Sequence, residues 1–249
     1  MADSVVDVYL ESSAVRWEHA RVCELAGREA ICELFWFDVG VVCDPGHDLP
    51  ESAAVGADVS LVFEVDGAPV RHVRGIIQIL RNELDTPGGP TAYRVRIVPR
   101  FFKLALVHTQ EVWIDRSIPE IITEKLENFG FGNADFELRL TATYPTRDFV
   151  VQYKETDLAF VSRLAEQAGI CFFLEQDAGS DKLVFADHNA GFRAAPDAEE
   201  VPYRPDGEAL DVFALAFEEN LLSSVYFLRD YNFRTPFTDL TAEVPIEGG

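Results

Sequence analysis

The chain has 249 residues, 48% of them hydrophobic, enough for two compact domains or one large β-rich one. Asp and Glu number 43 against 21 Lys and Arg, a formal net charge of −22, which excludes nucleic acid and anionic membranes as ligands because both demand cationic surface. The acidity reads first as solubility and second as an acidic face that meets a basic partner.

No segment approaches the ~20 consecutive apolar residues of a membrane span, and the start MADSVVDVYLESS lacks the basic and apolar parts of a signal peptide. The expectation is therefore a chain that begins in the cytoplasm. Cys23, Cys32, Cys43 and Cys171 form no C-x-x-C pair and no zinc-ligand spacing, although His47 follows Cys43 by four, and they read as buried free thiols.

In chain order, Val5 to Leu10, Val15 to Val22 and Glu29 to Val42 are β-rich apolar runs. In the last, Cys32, Leu34 and Trp36 share one face and Ile31, Phe35 and Phe37 the other, so both faces are expected to be buried. Asp44-Pro45-Gly46 breaks the run, and Leu49 to Ala57 reads as a loop or short helical turn closed by Gly56. Val59, Leu61, Phe63 and Val65 alternate up to Asp66-Gly67, a favoured hairpin turn, and Val70 to Leu80 returns as the partner strand. Pro69 belongs at an edge or outside the ladder. After a polar loop around Thr86 to Pro90, Tyr93, Val95 and Ile97 alternate with Arg94 and Arg96, and a further run, Phe101 to Val107, follows Pro99. Strands this close, joined by short turns, predict a barrel or sandwich.

Helical signals begin after Trp113. Ser117-Ile118-Pro119-Glu120 is a capping box, and proline is tolerated in a first turn because its missing N–H would be unbonded anyway. Ile118, Ile121, Ile122, Leu126 and Phe129 form an apolar stripe, Gly130 ends the helix, and Phe131 folds back on Leu126. A strand at Phe136, Leu138 and Leu140 follows. Phe149, Val151 and Tyr153 then alternate with Val150 and Gln152, the pattern of a strand with one buried face. At Thr156 the period changes to that of a helix: Thr156 caps it, Asp157 complements the helix dipole, and Phe160, Val161, Leu164 and Ala168 form its apolar stripe. Burying the first three is worth roughly 1.5–3 kcal/mol each. Gly169 stops the helix, and Cys171 to Leu174 pairs with Leu183 to Phe185. Asn189 to Glu208, rich in Pro, Ala and Asp, reads as a surface connection before strands at Leu210 to Glu218 and Leu221 to Asp230 and a short run at Leu240 to Val244.

Gln152, Tyr153, Glu155, Asp157, Phe160, Arg163, Leu164, Glu166, Gly169 and Ile170 fit Q-Y-x-E-[ST]-D-x-x-F-x-x-R-L-x-E-x-x-G-I. In that pattern the chain resembles the VgrG spike proteins of type VI secretion and the related hub proteins of contractile phage tails. Thr156 stands where serine is commoner, and Cys171, Phe172 and Phe173 fill the usual aromatic pair position. Gly56-x-x-Val59, Arg71-x-x-x-Gly75-Ile76-Ile77 and Tyr93-x-Val95-x-Ile97-Val98-Pro99 are similar, in order and spacing, to elements of the first VgrG barrel. The resemblance implies a β-rich α+β fold with two barrel-like domains, the second incomplete, around a middle subdomain. The expected division is residues 1–110 for the first barrel, 111–190 for the middle α+β subdomain, and 191–249 for a connection and the start of the second barrel. An oligonucleotide-binding-like domain and a needle follow in VgrG proteins and have no residues in this sequence, as a truncation or a shortened relative would have it.

The sequence holds no G-x-S-x-G, H-E-x-x-H, Walker A, G-x-G-x-x-G or deaminase motif. Asp187-His188, His72 and His108 read as ordinary surface or core residues, and no catalytic, cofactor or metal residue is assigned. Glu155, Asp157, Arg163 and Glu166 divide evenly between a specific ion network and a solvated helix face.

The resemblance further implies a non-enzymatic part: a homotrimeric hub whose six similar barrels meet a hexameric, Hcp-like tube while threefold symmetry is kept for a trimeric needle and its effector domains. Such a part is assembled inside the cell and driven outward when a sheath contracts. Candidate trimer contacts are the aromatic runs holding Phe35 and Phe37, Phe101 and Phe102, Phe172 and Phe173, and Phe213 and Phe217; each also reads as intrachain core, the commoner fate of such residues. The rival readings are a phage tail or extracellular contractile particle hub and, from another class, a β-barrel enzyme or carbohydrate-binding module, which a concave polar site would reveal.

Overall fold

A computed structural model of the chain describes residues 5–83, 89–176, 179–193, 203–205, 212 and 214–246. The chain divides into two compact units, Met1–Arg193 and Ala194–Gly249.

The first unit opens with a six-stranded antiparallel sheet. Its strands are β1 (Val6–Glu11), β2 (Ala20–Arg28), β3 (Trp36–Cys43), β4 (Asp58–Val65), β5 (Ala68–Glu83) and β6 (Thr91–Val98), in the order β1-β4-β5-β6-β3-β2. The edge strands β1 and β2 approach each other without a ladder between them, so the sheet is curled into an incomplete barrel. Its interior is apolar: Val39, Val41, Leu61, Val73, Ile77, Tyr93, Val95 and Ile97 alternate inward. Between β3 and β4 lies one short helical turn, α1 (Glu51–Ala54).

Gly75 in β5 sits against the backbone of β6. A Cβ there would lie 2.3 Å from the Val98 carbonyl oxygen and 3.3 Å from the Phe35 ring, so only glycine admits this approach.

A lobe follows, with its own core. A 3₁₀ turn (Arg100–Ala105) leads to β7 (His108–Trp113), α2 (Ile118–Asn128), β8 (Phe136–Arg139), β9 (Val150–Thr156), α3 (Asp157–Gln167), β10 (Cys171–Gln176) and β11 (Asp181–Ala186). β7 and β9 form an antiparallel ribbon; β10, β11 and β8 form a second sheet in which β8 runs parallel to β11. Both helices end in a Schellman motif. Gly130 and Gly169 hold φ of 83° and 68°, the Phe131 N–H bonds the Leu126 carbonyl, and the Ile170 N–H bonds that of Ala165. The expected capping box is present, Ser117 N–H donating to Glu120 at 2.8 Å, and the Thr156 hydroxyl accepts from the Ala159 N–H at 3.1 Å.

Several expectations are corrected. The run Val15 to Val22 is strand only from Ala20, and Glu29 to Val42 only from Trp36. Cys32 has a φ of 61° and its N–H donates to the Phe172 carbonyl at 2.7 Å, so the chain turns toward the lobe there instead of continuing a ladder. Phe101 to Val107 is mostly 3₁₀ helix, and Phe101 and Leu104 pack into the lobe core, not the barrel. Pro69, by contrast, lies at an edge as expected: it pairs with Glu64 of β4 at a register shift, in the part of β5 that precedes its pairing with β6. The strand at Phe149 to Tyr153 has the opposite phase: Val150 and Gln152 point inward and Phe149 and Tyr153 outward. Of the cysteines only Cys43 is buried; Cys23 and Cys32 are exposed and Cys171 is intermediate, all with free thiols.

In the second unit an isolated bridge joins Tyr203 and Val212, and β12 (Val225–Asp230) pairs with β13 (Leu240–Pro245). Tyr226, Leu228, Leu240, Ala242 and Val244 share one face of this hairpin, all exposed. Residues 214–224 carry no strand, correcting the expected extents there; Leu210, Asp211 and Phe213 lie outside the described residues.

Candidate assembly site in the lobe

The pattern residues Gln152 to Gly169 converge on the β7–β9 ribbon and the two helices under it. On α2, Lys125 falls seven residues after Ile118 and four after Ile121, so the helix turns it into the core with the apolar stripe. There its ammonium has three acceptors for three protons: Asp157 Oδ1 at 3.0 Å, Glu111 Oε2 at 3.0 Å and Thr109 Oγ1 at 2.9 Å. The stacked rings of Trp113 and Phe160 lie under the charge, their centroids 5.1 and 5.9 Å from Nζ. Asp157 Oδ1 also accepts from the Thr109 hydroxyl at 2.6 Å and from Gln152 Nε2 at 2.7 Å.

Lys125 and Asp157 are each 2% exposed. Burial by itself would raise the Asp157 pKa, but the Thr109, Gln152 and Lys125 donors together outweigh it and hold the carboxyl below its ordinary value. Gln152 Nε2 further donates to the Glu155 carbonyl at 3.2 Å, while its Oε1 has no partner, a cost of roughly 1–3 kcal/mol.

Arg163 makes a two-pronged contact with Glu155, at 2.6 and 3.1 Å, and lies 5.2 Å from the Phe160 ring; this pair joins β9 to α3 at the surface. The Arg163 hydrogen bonds lower the Glu155 pKa. Glu166 is exposed and, among the described residues, forms no ion pair. The four charged residues named from the sequence thus separate into a buried anion, a surface pair and a solvated carboxylate. Phe160 and Leu164 are core, and Tyr153 is 61% exposed.

The outer face of the ribbon is apolar. Val112 pairs with Val151, and Ile114, Phe149 and Tyr153 flank them, with exposures of 53% for Val112, 64% for Ile114, 62% for Phe149 and 61% for Tyr153. Between Thr109↔Glu155 and Glu111↔Gln152 the register shifts, so Tyr153 and Lys154 oppose the single residue Gln110; Lys154 takes a φ of 52°. This is a β-bulge.

Of the aromatic contact candidates, Phe35, Phe37, Phe101 and Phe172 are buried in the two cores, Phe102 and Phe173 are half-buried, Phe217 is exposed, and Phe213 lies outside the described residues. Sequence reasoning missed Lys125, Thr109 and Glu111. A lysine on the core register of an amphipathic helix was the available signal. It also missed the anchor of the lobe, where Arg100 pairs with buried Asp181 and with Asp135 at 2.9 Å; nothing in the acidic turn around Asp181 distinguishes it.

A family model described as the phage tail baseplate hub (GPD) matches residues 28–248. The chain belongs to this family. Among curated hub-like relatives, the type VI secretion system spike protein VgrG5 of Pseudomonas aeruginosa is 31% identical over 227 residues, 89% of this chain and 28% of that protein. An E. coli type VI secretion component, described as structurally similar to the T4 bacteriophage tail proteins gp27 and gp5, superposes with a TM-score of 0.62 at 26% identity, over 77% of this chain and 48% of that one. A tail protein of Neisseria meningitidis shares the fold alone, with a TM-score of 0.54 at 13% identity over 98% of this chain and 68% of that one. The chain spans about a third or less of the length of the curated relatives it matches.

Proposed function

We propose that this hub-family chain is a structural, non-enzymatic part of a contractile injection spike. Three copies form a ring that adapts a hexameric tube to a trimeric needle, and sheath contraction carries the assembly out of the cell toward a target. The observation that carries the reading is the family match over residues 28–248, supported by the likeness to the E. coli secretion component. In this arrangement the curled sheet of β1 to β6 and residues 191–249 belong to the ring, with the lobe that begins at Arg100 bracing it. No helix among the described residues is long and apolar enough to cross a membrane, and a part that travels with a spike needs none.

Symmetry gives the ring its use. Three chains with two similar barrels each offer six similar surfaces to one side and threefold symmetry to the other. Light scattering on a sizing column at two concentrations tests the ring. A mass near three times 27.8 kDa is expected, and a single-copy mass at both concentrations would count against unaided ring formation. Co-sedimentation with a purified tube protein, reduced by excess free chain, tests the partner.

A further inference from the structure

We propose that Cys32 and Cys171 are a redox pair, two thiols set to close into a disulfide that ties the β2–β3 connection of the barrel to β10 of the lobe. The inference rests on the reading that the chain is carried out of the cell, because such a pair stays open in a reducing cytoplasm and is kept as a bridge only outside it.

Cys32, held at a φ of 61°, turns the connection against β10, and its N–H donates to the Phe172 carbonyl at 2.7 Å. Hydrogen-bonded backbones lie roughly 4.8 Å apart and residues follow each other about every 3.3 Å along a strand, so Cys171 stands one diagonal step from Cys32, inside the roughly 4.4–6.8 Å between Cα atoms that a disulfide spans. The two sulfurs also act on each other. Burial first and the Cys32 sulfur second raise the pKa of the Cys171 thiol, and the second cause requires the sulfurs to be near enough for the charge of one thiolate to oppose that of the other. The other two cysteines are placed elsewhere: Cys43 is in the barrel core and Cys23 lies on β2.

Exposure divides the roles. Cys32 is exposed and meets the oxidant, a small disulfide such as oxidised glutathione; Cys171 is half-buried and resolves the adduct. The Cys32 thiolate attacks one sulfur of the small disulfide and expels the other half as a thiol, leaving a mixed disulfide on Cys32. Cys171, whose Sγ has only a weak contact at 3.1 Å to the Ala186 carbonyl to give up, then loses its proton and attacks the Cys32 sulfur, and the second half leaves as a thiol. Two protein thiols are oxidised and one small disulfide is reduced to two thiols. The finished bridge closes a loop that runs from β3 to α3, so it restrains the unfolded chain across both barrel and lobe.

Peptide mapping tests the pair. The full chain is reduced, freed of reductant, incubated with oxidised glutathione, digested without reduction and read by mass spectrometry. A linked pair of peptides holding Cys32 and Cys171 is expected, absent from Cys32→Ser and from Cys171→Ser and retained in Cys23→Ser. The wild-type thermal midpoint should rise by roughly 5–10 °C on oxidation and return with dithiothreitol. The variants Cys32→Ser and Cys171→Ser, whose midpoints under reducing conditions show that they fold, should not respond. A glutathione adduct on Cys32 that never passes to Cys171 overturns the pair, as does a bridge made to Cys23 or Cys43 instead. Either result leaves the hub reading standing, because the mass in light scattering tests that reading without reference to the thiols.

Discussion

The barrel and the lobe of the first unit are held by different means. Every residue of the barrel core is an apolar or aromatic side chain or a thiol, whereas the four buried polar residues among those described, Lys125, Gln152, Asp157 and Asp181, all lie in the lobe. In the curled sheet each strand is registered by its neighbour's backbone, and a one-residue slip would turn its apolar row outward. The lobe has no such common ladder: apart from the Asp157 N–H bond to the Val107 carbonyl at 3.0 Å, a ribbon, two helices and a three-stranded sheet meet mainly through side chains. Directional bonds around Lys125 and Asp181 fix which faces meet. A buried ion pair adds little net stability but is costly to break from one side, which makes it a device for specifying an arrangement.

The largest test breaks that device. Lys125→Met leaves Asp157 and Glu111 without their cation, and a loss of about 3–5 kcal/mol is expected in denaturant unfolding. Lys125→Met combined with Asp157→Asn should recover part of the loss, because the uncompensated buried charge has gone. Strictly additive losses would mean that the two residues do not act as a pair.

In the barrel the corresponding weakness is steric. Gly75→Ala pushes a methyl into the Val98 carbonyl and the Phe35 ring and should cost about 1–3 kcal/mol. Its loss should be the same at pH 7 and pH 4, since no titrating group is displaced. A thermal midpoint equal to wild type would show that β5 and β6 can part at that point without cost.

Acid separates the two regions more finely. Arg139 and Lys182, by hydrogen bonding to Glu137, lower its pKa from 4.5 to about 2. A folded-state pKa below the unfolded one means stability present above the unfolded value and lost as pH falls through the folded value, here between about 4.5 and 2. The full shift would correspond to roughly 3 kcal/mol, but the Glu137 side chain is 39% exposed, and screening reduces this to about 1. Glu137→Gln should flatten the stability profile over that interval by this amount. An unchanged profile would assign the acid loss to other carboxylates, such as Asp157 or Asp135, both also held below their ordinary range.

Much of this was legible in the sequence, for reasons that can be named. The barrel strands showed because period-two alternation at Val59–Val65 and Tyr93–Ile97 reports a sheet with one buried face, and both helices showed because caps and stop signals are local. What stayed hidden depends on distant partners. The phase of Phe149 to Tyr153 was misread because the large Phe149 and Tyr153 face out while Gln152 faces in beside Val150, the reverse of what burial alone predicts. Phe101 to Val107 has strand-like composition, but contact with the lobe core winds it into a 3₁₀ turn. The pairing of Asp157 could not be read from α3, since its cation comes from a helix 32 residues earlier.

The smallest expected effect sharpens the contrast between buried and surface charge within the lobe itself. Arg163 and Glu155 have ideal two-pronged geometry, yet the Arg163 side chain is 48% exposed, so water competes for both partners and salt screens what is left. Glu155→Gln should therefore cost no more than about 1 kcal/mol, and less in high salt, although it lies two residues from Asp157. Arg163→Ala should cost somewhat more than Glu155→Gln, because it also strips an aliphatic stem and a cation from the Phe160 ring. Equal losses for the two variants would reduce Arg163 to its charge. A Glu155→Gln loss as large as that of Lys125→Met would erase the distinction between the two sites, and the lobe would then be held by one continuous network reaching from α2 to the surface of α3.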